Sequence, residues 1–242
     1  MEDISVYSDD WYRKELISTK KIIFLLVYYF IFYLYVAPNV SYRILCSFME
    51  ESVAYQYAQL TSDFICMWPI IYLAFPLLKY SWNGYLEEPS HIMNSGIKLY
   101  IPMILGNALV QGILQTLTGL TNGANQDIAN TLFEMNPLSI AIPAIMIAPI
   151  IEEIIFRGLI FRSGRVLGFP IAALISGLSF GLIHCIGDIL SGNWLAASFI
   201  IMYACMGMFM CKAHENGKNL ISSISLHMFS NTIAVLAMMY LA

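Results

Sequence analysis

LSIAIPAIMIAPIIEEIIFRGLIF, residues 138–161, is apolar on both sides of two adjacent glutamates. At helical rise the run covers ~36 Å, enough to cross a hydrocarbon layer of ~30 Å. A charge inside such a layer costs ~2.5–3.5 kcal/mol on insertion scales, so Glu152, Glu153 and Arg157 are expensive residues here. Glu153 and Arg157 are four apart and share a helical face, which allows an ion pair. Glu152 is turned by about 100° from Glu153. One glutamate can thus be neutralised by Arg157 while the other faces a polar cavity and serves as a general base.

The rest of the chain agrees with lipid as its solvent. Of 242 residues, 59% are hydrophobic and 12% charged, and the mean hydropathy is +0.69. Soluble domains carry about twice that share of charge. Apolar runs at roughly 22–38, 60–78, 97–118, 137–160, 167–189, 193–211 and 219–241 predict an all-α, polytopic transmembrane helix bundle of about seven spans, with six to eight allowed by boundary error. Residues 41–59 mix tyrosines with Glu50, Glu51 and Gln56, as an interfacial helix would, and Asp63 falls near an interface. Residues 119–136 lack positive charge and read as an outer loop. With a cytoplasmic N-terminus, every lysine and arginine except Arg43 lies inside, which favours that orientation. The expected organisation is a cytoplasmic segment, 1–21, with acidic residues Glu2, Asp3, Asp9 and Asp10, and one membrane domain, 22–242.

A net charge of −4 argues against nucleic acid as a partner. The partners expected are membrane lipid and a peptide or protein substrate. The five cysteines show no CxxC spacing, so neither a disulfide framework nor a zinc knuckle is indicated. His214-Glu215 reads as a solvated turn and His91 as a loop residue. Met202, Met206, Met208 and Met210 read as lipid-facing packing.

Two further membrane segments carry polar residues. In Ser179-Phe180-Gly181-Leu182-Ile183-His184, Phe180 lies one turn before His184. The Gly177/Gly181 spacing permits a close helix approach, which would bring His184 against the Glu152 helix. Asp188, one turn on, either tunes that histidine or marks the helix end. In Ser225-Leu226-His227-Met228-Phe229-Ser230-Asn231, His227 and Asn231 share a face and could bind a developing oxyanion or clamp two helices.

Taken in order, Glu152-Glu153-x-x-x-Arg157, Phe180-x-x-x-His184 and His227-x-x-x-Asn231 resemble the CPBP (Abi, type II CAAX prenyl endopeptidase-like) family of intramembrane proteases. The resemblance covers roughly 137–241, the part expected to be catalytic. It implies an endopeptidase acting on a membrane-associated substrate. Glu152 and His184 would activate water, His227 and Asn231 would stabilise the oxyanion, Glu153 and Arg157 would support the centre, and Phe180 would pack beside His184. No cofactor is required on this reading. A divalent metal such as zinc, held by Glu152, His184 and His227, is the alternative, although HExxH is absent. A short chain suits a prokaryotic plasma membrane.

Two other functional classes fit the same residues. One is a non-catalytic membrane scaffold or bacteriocin-immunity/regulatory protein. The other is a proton-coupled transporter, against which the absence of internal repeats argues. The membrane depth of His184 poses a difficulty. Glu152 lies ~15 Å from the cytoplasmic charges Arg162 and Arg165, whereas His184 lies ~25 Å and His227 ~12 Å from the start of their own spans. A tilt, an extended inner helix or a bend near Pro170 is needed to bring them level.

Overall fold

The computed structural model describes residues 11–241. The acidic residues expected at the start of the 1–21 segment lie outside the described residues. Seven helices are long and apolar enough to cross a membrane, and no strand occurs among the described residues. We number the spans α1 (Thr19–Leu45), α2 (Glu51–Glu87), α3 (Pro89–Thr118), α5 (Pro137–Leu167), α6 (Phe169–Leu190), α7 (Trp194–Gly217) and α8 (Leu220–Tyr240). A shorter helix, α4 (Ala124–Met135), precedes α5. The chain is a multi-pass integral membrane protein.

The helices run past the apolar windows because backbone hydrogen bonding continues where hydropathy ends. The expected interfacial helix at 41–59 is therefore absent: its first part ends α1, its last part begins α2, and Tyr42 Oη donates to Glu51 Oε1 at 2.6 Å across the break. Asp63, expected at an interface, stands more than three turns inside α2 and is buried. Residues 119–136 hold α4. Its first amide, Ala124 N–H, donates to Asp188 Oδ2 at 3.2 Å. Asp188 thus satisfies one of the free donors at the helix start. His91 lies in the first turn of α3 and is exposed.

His214 is not in a solvated turn. It is buried in α7, 4.9 Å from the Trp11 ring and 6.0 Å from Phe161. The turn expected after Lys212 is instead the last turns of the helix, fastened by Arg165, which donates twice to Glu215 at 2.8 and 2.7 Å. Arg162 ties the N-terminal segment to α5 by donating to the carbonyls of Trp11 and Lys14. Met210 likewise faces the interior, packed with Met103 and Leu226. All five cysteines are free.

The α5–α6 hairpin fixes the depth of the site. It turns at Gly168, whose φ of +89° favours a residue without a Cβ. Pro170 occupies the first turn of α6, where its missing N–H is tolerated, and no bend arises there. Glu152 and His184 each stand 16 residues from Gly168, so the antiparallel helices place them level. The difficulty came from taking Arg162 and Arg165 as the edge of α5, which continues to Leu167.

Close packing follows the small residues, though not onto the expected partner. A Cβ at Gly181 would lie 2.6 Å from the Ile200 carbonyl oxygen, and one at Gly177 would lie 2.7 Å from that of Ala204. Gly207 faces Gly177 equally closely. The helix that Gly177 and Gly181 admit is α7, not the Glu152 helix.

Candidate active site

Two prolines shape the backbone that carries the glutamates. Residues Pro143–Ile147 and Ile154–Phe161 of α5 are π-helical, a widened form that recurs at functional sites. Ala148 N–H donates to Pro143 O, five residues back. In this register the next carbonyl, that of Ala144, faces Pro149, which has no N–H. Asn231 Nδ2 reaches from α8 and donates to Ala144 O at 2.8 Å. In the second widened stretch, Ser176 Oγ from α6 donates to Phe156 O at 2.8 Å. Side chains from two neighbouring helices thus satisfy carbonyls on α5.

Glu153 and Arg157 form the expected ion pair, with Arg157 Nη1 2.8 Å from Glu153 Oε1. Both are fully buried. Arg157 Nη2 also donates to Gly207 O at 2.9 Å, and its guanidinium lies over Phe180, 4.7 Å from the ring centre. A buried ion pair is tolerable only when its remaining donors and acceptors are met, and these contacts meet several of them. Glu153 Oε1 accepts a second bond from His227 Nδ1 at 2.9 Å. That bond fixes the ring and turns Nε2 toward Glu152, whose Oε2 lies 3.9 Å away. Glu152 retains partial exposure at 14%, whereas Glu153 has none. The two carboxylates therefore divide as their spacing suggests: one is locked in place and the other is open.

His184 is held separately. Its Nδ1 lies 2.8 Å from Phe180 O. A carbonyl only accepts, so Nδ1 carries the hydrogen, and in the neutral ring Nε2 is left with a free lone pair. Phe180 packs 4.5 Å from His184 and 5.8 Å from His227, joining the two histidines through one ring. Tyr203 of α7 stacks on the other side, 4.5 Å from His184 and 22° from parallel.

Glu152, Glu153, Arg157 and His227 thus form one connected cluster, and Phe180 links it to His184. Asn231 is spent partly on Ala144 and does not touch His227 through any bond of its own. Among the described residues, no group of three His, Cys, Asp or Glu side chains is arranged to hold a metal ion.

Sequence reasoning missed four contributors. Ser176 and Gly207 supply contacts to α5 that only tertiary packing reveals. Tyr203 lies in an apolar helix as an ordinary aromatic. Asp63 did carry a signal, being a carboxylate in an apolar run, but the assumed interfacial helix placed it at the surface. It accepts from Gln59 Nε2 at 2.7 Å, on the flank formed by the stacked rings of Tyr29 and Tyr33. Tyr29 in turn meets Phe156 edge-on.

No curated protein and no solved structure matches the chain. A family model does, described as Type II CAAX prenyl endopeptidase Rce1-like, over residues 134–233. That range holds every residue of the three motifs and under half of the chain. Over these residues the chain is similar to the Rce1-like family, in agreement with the ordered motifs on α5, α6 and α8.

Proposed function

We propose that the protein is an intramembrane endopeptidase that hydrolyses a peptide bond by glutamate-activated water. The observation that carries this reading is the division of the two carboxylates, with Glu153 locked by Arg157 and His227 and Glu152 open beside His227. Glu152 and the free Nε2 of His184 accept the two hydrogens of a water. Water oxygen attacks the scissile carbonyl as Glu152 takes a proton. When both of its nitrogens are protonated, His227 offers Nε2–H to the oxyanion, its ring aimed by Glu153. The second amide hydrogen of Asn231 is the other donor. The proton on Glu152 then passes to the leaving nitrogen as the C–N bond breaks.

No metal or other cofactor takes part in this scheme. The substrate is a membrane-associated peptide or protein, and the N-terminus faces the cytoplasm.

The test is cleavage of quenched-fluorescent apolar peptides by the full-length protein in lipid nanodiscs. Glu152→Ala should reduce hydrolysis by about 10²–10⁴-fold while the unfolding temperature stays close to wild type. Hydrolysis that persists in this variant would sink the reading. A scaffold role predicts the reverse pattern, with loss of stability and no hydrolysis to lose.

A further inference from the structure

Tyr203 belongs to two places at once. Its ring stacks on His184, and it also lines a cavity of about 230 Å³ between α3, α4 and α7. The cavity opens at the end of the bundle that carries residues 119–136. His184 is only six residues from the end of α6 at Leu190, so this histidine is approached from the same end.

The lining is distinctive in its chemistry. Gln111, Thr121, Asn122, Gln126 and Asn130 surround the cavity, and no charged side chain lines it. Without a cation it has nothing to select phosphate or a carboxylate. Without a carboxylate it has nothing to select a metal ion. A carboxamide offers two donors and a carbonyl acceptor, and few of these are used. Gln111 Nε2 donates to Thr121 O at 3.2 Å, and Gln126 Nε2 donates to Asn130 Oδ1 at 2.9 Å. Asn125 Nδ2 donates to Tyr203 Oη at 3.4 Å, so α4 is tied to the ring that touches His184. An uncharged peptide backbone, which alternates N–H and C=O, is the chemistry that such a lining matches. Met202 supplies an apolar wall for a side chain.

We propose that this cavity is a binding subsite for an uncharged, extended peptide segment, which it leads past Tyr203 to His184 and Glu152. The proposal rests on the hydrolase reading for its purpose but is tested by binding alone.

The experiment uses the full chain carrying Glu152→Ala in lipid nanodiscs. The probe is a fluorescein-labelled octapeptide of alanine, serine and leucine, capped at both ends. Its backbone N-methylated twin removes the N–H donors. Anisotropy should show saturable binding above that of empty nanodiscs. Gln126→Ala and Asn130→Ala should each weaken it about five- to tenfold, the share of one hydrogen bond, with unchanged thermal unfolding. The N-methylated twin should bind equally weakly to all three proteins. Wild-type-like affinity in both variants overturns the proposal, as does the absence of saturable binding or a preference for a charged peptide. If Glu152→Ala still hydrolyses peptide while binding depends on Gln126 and Asn130, the hydrolase reading falls and the subsite stands.

Discussion

Spans α1–α3 and spans α5–α8 differ in how much of their apolar length they bury. In the most apolar windows of α1, α2 and α3, 22, 33 and 17% of the residues are buried, against 44, 39, 44 and 44% in α5 to α8. The late spans form the inner bundle. Their contacts are backbone-close, set by Gly177, Gly181 and Gly207, and polar, set by Glu153, Arg157, Ser176 and Asn231. Of the early spans, α1 meets this bundle with aromatic rings, α3 docks closely on α8 at Gly96 and accepts from Ser222 Oγ at Ile92 O, and large side chains such as Tyr72 and Phe75 on α2 stay outward. Lipid gives little hydrophobic reason for helices to associate, so packing and hydrogen bonds must do so. The half that does this most thoroughly is the half that carries the candidate chemistry.

The largest effect that would test this contrast lies at Arg157. Arg157→Ala leaves Glu153 buried without its ion partner and strips the Gly207 carbonyl of a donor. Breaking a buried pair costs about 3–5 kcal/mol. Thermal or denaturant unfolding in detergent should show that loss, and Glu153→Ala in the same chain should recover part of it by removing the stranded charge. A double variant no better than the single would mean that the guanidinium acts mainly through Gly207 and the Phe180 ring.

Next in size is Gly181→Ala. The new methyl would press on the Ile200 carbonyl at 2.6 Å, and backbone cannot swing aside as a side chain does. Overpacking of this kind costs about 1–3 kcal/mol. Gly112, whose Cβ position is open, is the matched control in α3 and should tolerate alanine without loss.

How much of this was legible in the sequence depended on whether a feature was local. The membrane spans were legible because hydropathy is written residue by residue, and the Glu153–Arg157 pair because i, i+4 spacing puts both on one face. The ordered motifs lie on three helices that meet through Glu153, His227 and Phe180. The depth of His184 was misjudged because the edge of α5 was taken from its charges, yet Arg162 is buried on the Trp11 and Lys14 carbonyls and marks no edge. The partner of Gly177 and Gly181 was misassigned because small-residue spacing says that a helix can approach, not which one. Asp63 and His214 were both placed at surfaces because a charged or polar residue near a helix end was assumed to be wet.

A smaller effect probes how Asn231 serves the inner bundle. Asn231→Leu removes the donor that Ala144 O receives in place of the N–H that Pro149 lacks, and should cost about 1–2 kcal/mol. Pro149→Ala supplies an N–H at that position. In the Pro149→Ala background the same Asn231→Leu change should cost less, with a coupling of roughly 1 kcal/mol across the four unfolding curves. Additive costs would separate Asn231 from the backbone and leave its second amide hydrogen as its whole contribution.

The smallest effect is expected at the outer face of α2. Tyr72 is 78% exposed, and it enters none of the ring stacks that join α1 to the inner bundle. Tyr72→Leu exchanges one lipid-compatible surface for another and should change stability by no more than about 0.5 kcal/mol. The measurement is the same unfolding curve, run in nanodiscs so that the face meets lipid. A loss as large as that of Gly181→Ala would mean that this face is covered by protein in the membrane. The early spans would then be an interface, and the contrast between a packed inner bundle and a lipid-facing wrap would fail at α2.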